Sequence, residues 1–186
     1  MTTAIYDPVA NVIVADHRYT WADGCYTLAT KFETLGEGFT FVMSGPTGNL
    51  PCAALVLASL DAMAQVVDQK ITADTMTVLQ VKSPGSFELL GYCDRHGVIY
   101  ASADAEESIS ISVNPPYPVA IGSGAAAART TLAEGWSAAM KIATRADRAS
   151  FCASETPDIF DVRKAEFTRR LSLASPVKKG STRHAQ

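Results

Sequence analysis

Short β-prone runs rich in apolar residues recur along the chain between turn-like polar clusters, and each predicts a strand. Thr3-Ala4-Ile5-Tyr6 and Val12-Ile13-Val14-Ala15 flank Asp7-Pro8-Val9-Ala10-Asn11, a turn-like segment, so a hairpin is expected at the N-terminus. Gly38 to Met43 reads as a further strand running into the Ser44–Asn49 loop cluster. Pro51 to about Asp68 reads as a helix, with the proline in its first turn and Leu55, Leu60 and Met63 on one face. Gly85–Cys93 and Val98–Ala101 flank Asp94-Arg95-His96-Gly97 as a second hairpin. Ile109–Val113 alternates as a half-buried strand does.

Tyr117–Ile121 leads into Gly122-Ser123-Gly124. An alanine-rich helix is then expected to about Ala133, and another over Ser137–Arg145 with Ser137 as its N-cap. Ile159–Val162 is a candidate last strand. Strands and helices come in segregated blocks, which predicts an α+β chain with two antiparallel sheets sandwiched between helical layers. Residues 1–171 read as one domain, and 172–186 as a polar, basic, mobile tail with Lys178, Lys179, Arg183 and His184. No internal repeat is evident.

Composition narrows the class. The 186 residues suffice for one domain with a sizeable core, and 47% hydrophobic against 19% charged content reads as globular, not disordered. A net charge of −3 gives no basic field for nucleic acid. The N-terminus lacks a secretory signal pattern, and the apolar run from Leu50 to Val67 is too interrupted by polar residues for a membrane span. A cytoplasmic location is expected. Cys25, Cys52, Cys93 and Cys152 are widely spaced and do not cluster with the three histidines, so reduced thiols are expected and metal binding is not.

The candidate chemistry begins at Met1-Thr2-Thr3. If Met1 is removed, Thr2 carries a hydroxyl and a free α-amine on one residue, a nucleophile with its own general base. Further segments fall into order behind it. Val14-Ala15-Asp16-His17-Arg18-Tyr19-Thr20 resembles the Ala-Asp-x-Arg-x-Thr segment of proteasome β-subunits. Lys31 stands where that family has its lysine, and Ser44-Gly45 closes the following strand as a small residue plus glycine does there. Ala120–Gly124 is similar to an Ile-Gly-Ser-Gly segment of the HslV peptidases, and Asp147-Arg148-Ala149-Ser150 to the family's Asp-x-x-Ser. Over residues 2 to about 165 the chain thus resembles the proteasome/HslV-like N-terminal-nucleophile hydrolases.

The resemblance implies a four-layer αββα sandwich and a threonine peptidase. Thr2 Oγ attacks the scissile carbonyl and the Thr2 amine takes the proton. Lys31 holds its charge near the hydroxyl, Asp16 pairs with Lys31, and the Gly45 N–H donates to the oxyanion, a contribution of roughly 3 kcal/mol in other hydrolases. Thr20 binds extended substrate and Met43 lines an apolar specificity pocket. Asp147 and Ser150 brace the amine, while Arg18 and Ser123 support the site from behind. The N-terminal hairpin is two residues shorter than is typical of the family. Because side chains alternate faces, an even shortening keeps Thr2, not Thr3, on the catalytic face relative to Asp16.

The same resemblance implies a homo-oligomeric ring enclosing peptide or unfolded-protein substrates, fed by a separate ATP-dependent unfoldase. No cofactor and no metal are implied. Other readings stay open at this point. Asp16 and Lys31 also suit an ordinary surface ion pair, and Gly122-Ser123-Gly124 a helix cap or weak phosphate cradle. Pro46-Thr47-Gly48-Asn49, Ala125, Phe151-Cys152 and the basic tail depart from the family pattern. A non-catalytic scaffold or assembly protein of a bacterium or phage, or an amidase acting on a small amide, would tolerate those departures.

Overall fold

A computed structural model describes residues 2–20, 26–36, 38–45, 49–67, 76–83, 85–104, 108–146 and 157–171. It is a mixed α/β chain with two large antiparallel sheets and few helices.

The N-terminal hairpin comprises β1 (Thr3–Asp7) and β2 (Val12–Ala15), with Ile5 opposite Val14 and Tyr6 opposite Ile13. Its turn is closed by the Asp7 carboxylate, which accepts the Val9 and Ala10 N–H groups at 2.9 and 3.0 Å. Three-residue strands β3 (Arg18–Thr20) and β4 (Tyr26–Leu28) pair with each other, and β5 (Glu33–Leu35) pairs with β6 (Phe39–Ser44). Helix α1 (Asn49–Val67) comes next, with Pro51 in its first turn. Then come β7 (Met76–Lys82), β8 (Phe87–Cys93), β9 (Gly97–Ala103), β10 (Ser108–Val113) and β11 (Val119–Gly122). Helices α2 (Ala125–Arg129) and α3 (Trp136–Ala146) precede the hairpin of β12 (Asp158–Asp161) and β13 (Glu166–Arg169).

One sheet has the order β11-β1-β2-β12-β13 and the other β5-β6-β8-β9-β10-β7. Three groups of buried side chains result from the two-residue alternation. Ala4, Tyr6, Ile13 and Ala15 of the first sheet share a core with Val42, Leu90 and Val98 of the second. The opposite parity, Ile5, Val14 and Ala120, packs with Ala128, Ala139, Met140 and Ala143 of α2 and α3. The remaining face of the second sheet, with Phe39, Phe41, Met43, Leu89, Ile99 and Ile109, packs against Cys52, Ala53, Val56 and Leu60 of α1. Strands such as β1, buried on both faces, therefore read as nearly continuous apolar runs.

Several boundaries differ from the sequence expectation. The alanine-rich helix ends at Arg129, and a separate 3₁₀ turn spans Leu132–Glu134. High helix propensity in Ala125–Ala128 does not carry through Thr130-Thr131, where the backbone of Thr131 leaves the helical region. Ser137 lies inside α3 and is not its cap. The first N–H of that helix, on Trp136, donates to Asp7 Oδ2 at 3.1 Å, so a carboxylate from β1 serves as the cap. Strands β7 and β13 have no counterpart in the pattern reading. Both are pairing products, β7 against β10 and β13 against β12. Among the described residues, no helix is long and apolar enough to cross a membrane.

Candidate functional site

The ladder between β1 and β2 continues one rung past the end of β2. The Asp16 N–H donates to the Thr3 carbonyl at 3.1 Å, and the Thr3 N–H donates to Asp16 Oδ1 at 2.8 Å. The Lys31 ammonium lies 2.8 Å from Asp16 Oδ1 and 3.0 Å from Oδ2, and the Arg18 N–H reaches Oδ2 at 3.3 Å. The ion pair is not on the surface: the Lys31 and Asp16 side chains are 1% and 0% exposed. A carboxylate so buried is tolerable only when its lone pairs are taken up, and here backbone and ammonium donors do so.

The segments on either side of Lys31 anchor it. Phe32 is buried in the core between the sheets and meets Phe167 edge-on at 5.0 Å and Phe160 at 6.3 Å. The Ala29 N–H donates to the His17 carbonyl, tying the segment before Lys31 to the residue after Asp16.

On its other side the N-terminal strand is gripped by the turn after β11. Ser123 N–H donates to the Thr2 carbonyl at 2.9 Å, and the Ser123 hydroxyl approaches the same oxygen at 3.4 Å. Gly124 N–H donates to Thr3 Oγ1 at 3.1 Å. Gly122 N–H donates to Glu88 Oε2 at 2.7 Å. All three amides of Gly122-Ser123-Gly124 are engaged within the protein, which corrects the reading of that turn as a phosphate cradle. Gly122 has φ of +87°, and a Cβ there would lie 1.8 Å from the Thr2 carbonyl oxygen and 3.2 Å from Ser44 Oγ. Only glycine permits so close an approach of backbone to backbone.

Thr2 and Thr3 are thus distinguished. Thr3 is wholly buried with its hydroxyl accepting from Gly124, whereas Thr2 keeps 7% exposure. Gly45 comes directly after β6 and is exposed. A Cβ on Gly45 would sit 2.6 Å from the Ser86 carbonyl oxygen, so this position too demands glycine. Thr20 ends β3, where its backbone pairs with Tyr26. Met43 is buried in the core against α1. A cavity of about 560 Å³ opens beside Ser44 and Gly45, and Met43 is not among its described lining residues. Asp147, Ser150, Phe151 and Cys152 lie outside the described residues, as do Met1, Cys25, 46–48 and the 172–186 tail. Cys52 and Cys93 are buried free thiols.

Two groups near the site escaped the sequence reading. Glu88 interrupts an apolar strand, and that lone carboxylate was the available signal. Next to Asp16, His17 Nε2 lies 2.9 Å from Asp158 Oδ1, and both side chains are buried. Burial pushes the Asp158 carboxyl up. Hydrogen bonds from His17, the Thr30 hydroxyl and the Leu171 N–H outweigh that and hold it below the ordinary range. The pair links β12 to the segment that carries Asp16, and nothing in the residue spacing announces it, since 141 positions separate the partners.

No family model matches the sequence, and no curated protein matches it. Among solved structures, the chain is similar to eukaryotic HslV from Trypanosoma brucei at 15% identity, over 85% of this chain and 96% of that one, with a TM-score of 0.44. A likeness at that level decides neither activity nor family.

Proposed function

We propose that this chain is an N-terminal-nucleophile hydrolase that cleaves peptide bonds, with Thr2 as nucleophile once the Met1–Thr2 bond is cut. The observation that carries the reading is the clamp on Thr2-Thr3. A buried Lys31–Asp16 pair bonds the Thr3 amide from one side, and the Ser123 and Gly124 amides bond Thr2 and Thr3 from the other. Hydrogen bonds on Thr3, the first residue of β1, and on Thr2 just before it hold this segment in one position.

The chemistry needs only this chain's own groups. The Thr2 amine accepts the hydroxyl proton as Oγ adds to the substrate carbonyl. The Lys31 charge favours the developing alkoxide, and Asp16 fixes that charge in place. The Gly45 N–H donates to the oxyanion. The amine then protonates the leaving nitrogen, and water admitted in its place releases the acyl group from Thr2. Asp147 and Ser150 steady the amine, Thr20 aligns the substrate strand, and Arg18 and Ser123 hold Asp16 and Thr2.

In this reading residues 1–171 form one domain whose three buried clusters stack as a helix–sheet–sheet–helix sandwich, with 172–186 as a tail. Copies close into a cytoplasmic ring through heterologous interfaces, and a separate ATP-driven unfoldase delivers unfolded chains. The test is peptide hydrolysis by protein whose intact mass shows Thr2 at the N-terminus, beside Thr2→Ala. Turnover lost in Thr2→Ala is expected. Equal turnover in both, or none in either, contradicts the proposal.

A further inference from the structure

The face of the six-stranded sheet that meets the other sheet changes character along its strands. Where the sheets overlap it carries Val42, Leu90 and Val98. Two residues beyond Val42 it turns polar. The register sets Ser44 opposite Glu88, Glu88 opposite Ser102, and Ser102 opposite Ser110. Opposed residues of antiparallel strands project from one face. Four polar side chains therefore form a row across β6, β8, β9 and β10. Each is half-buried, and each lines the cavity that opens beside Gly45.

A sheet face running out into solvent would also be polar. This row differs in being concave and in carrying an anchored charge. Glu88 is held by the Gly122 N–H at 2.7 Å, and Gly122 is packed on the Thr2 carbonyl, so a fixed carboxylate sits one residue from the candidate nucleophile. Asp104 adds a second carboxylate to the lining, and none of the described lining residues is basic. Carboxylates in a concave site concentrate negative potential there.

We propose that this cavity receives an arginine or lysine side chain of the substrate, next to the scissile bond, with Glu88 as its ion partner. The serine hydroxyls accept the remaining N–H donors, of which a guanidinium has five in a planar fork. The inference rests on the peptidase reading of Thr2, and it replaces the apolar selectivity expected from Met43.

The test uses the Thr2→Ala protein, which holds substrate without turnover, and two hexapeptides that differ only in arginine against citrulline, its neutral near-isostere. Calorimetry is expected to show about tenfold or greater preference for the arginine peptide, weakened by added salt. Glu88→Gln in the same background keeps an oxygen for the Gly122 N–H and should bring the ratio to about one. Asp104→Asn, an exposed position, should lower the ratio by a smaller factor. Equal binding of the two peptides, or a preference that survives Glu88→Gln, overturns the proposal. A Glu88-dependent preference with no cleavage of either peptide by the chain with free Thr2 supports the cationic subsite and defeats the peptidase reading. Cleavage of both peptides at equal efficiency does the reverse.

Discussion

The Thr3 N–H donates to Asp16 Oδ1 at 2.8 Å, and the same oxygen lies 2.8 Å from Lys31 Nζ. One buried carboxylate therefore ties the backbone between Thr2 and Thr3 to a buried ammonium. The roles of the two threonines should separate sharply. Thr2→Ala is expected to lower peptide turnover by at least about 10³-fold, as loss of a nucleophile does. Thr3→Ala removes the acceptor of the Gly124 N–H together with a buried methyl and should cost at least about 1 kcal/mol of stability, read in urea denaturation, with turnover kept.

Lys31→Ala leaves the Asp16 carboxylate buried without its counter-charge. Breaking a buried pair from one side costs about 3–5 kcal/mol, so the denaturation midpoint should fall markedly along with turnover. Lys31→Arg keeps the charge but changes its shape in a fully buried space. It should recover part of the stability and little of the turnover.

Gly122→Ala places a methyl 1.8 Å from the Thr2 carbonyl oxygen at a φ of +87°. The strand end must shift, and strain of this kind costs about 1–3 kcal/mol. Turnover should fall more than stability. Hydrogen exchange of the Ser123 amide, which is bonded to Thr2, should rise.

The Asp158 carboxyl is held below its ordinary value, burial opposing and the His17, Thr30 and Leu171 hydrogen bonds prevailing. A carboxyl with a depressed folded-state pKa stabilises the fold above its unfolded pKa of about 3.9, and that stability is lost as pH falls through the folded value. Stability measured from pH 6 down to pH 2 should therefore drop at its acidic end. Asp158→Asn should be less stable at pH 6, and its stability should depend less steeply on pH below about 4.

Much of this was legible in short-range pattern. The β1–β2 hairpin announces itself because two short β-prone runs flank an Asp-Pro turn, and Asp16 is readable because it lies one residue beyond that hairpin. The rest depends on distant partners. Three-residue strands such as β3 and β5 carry too few positions to show a period, and they exist because β4 and β6 pair with them. The cap of α3 could not be found locally, since Asp7 supplies it from 129 positions away. Glu88 gains its meaning from Gly122 across the two sheets, and Asp158 gains its meaning from His17 through the pairing of β12 with β2, neither of which local sequence spacing announces.

The central claim is that Thr2 forms a bond to substrate. Intact-mass spectrometry during turnover of an activated peptide ester tests it most directly. The account predicts one acyl group per chain, mapped to Thr2 in protein that begins at Thr2 and missing from protein that retains Met1. An acyl group on another residue, or equal labelling of both forms, would contradict it.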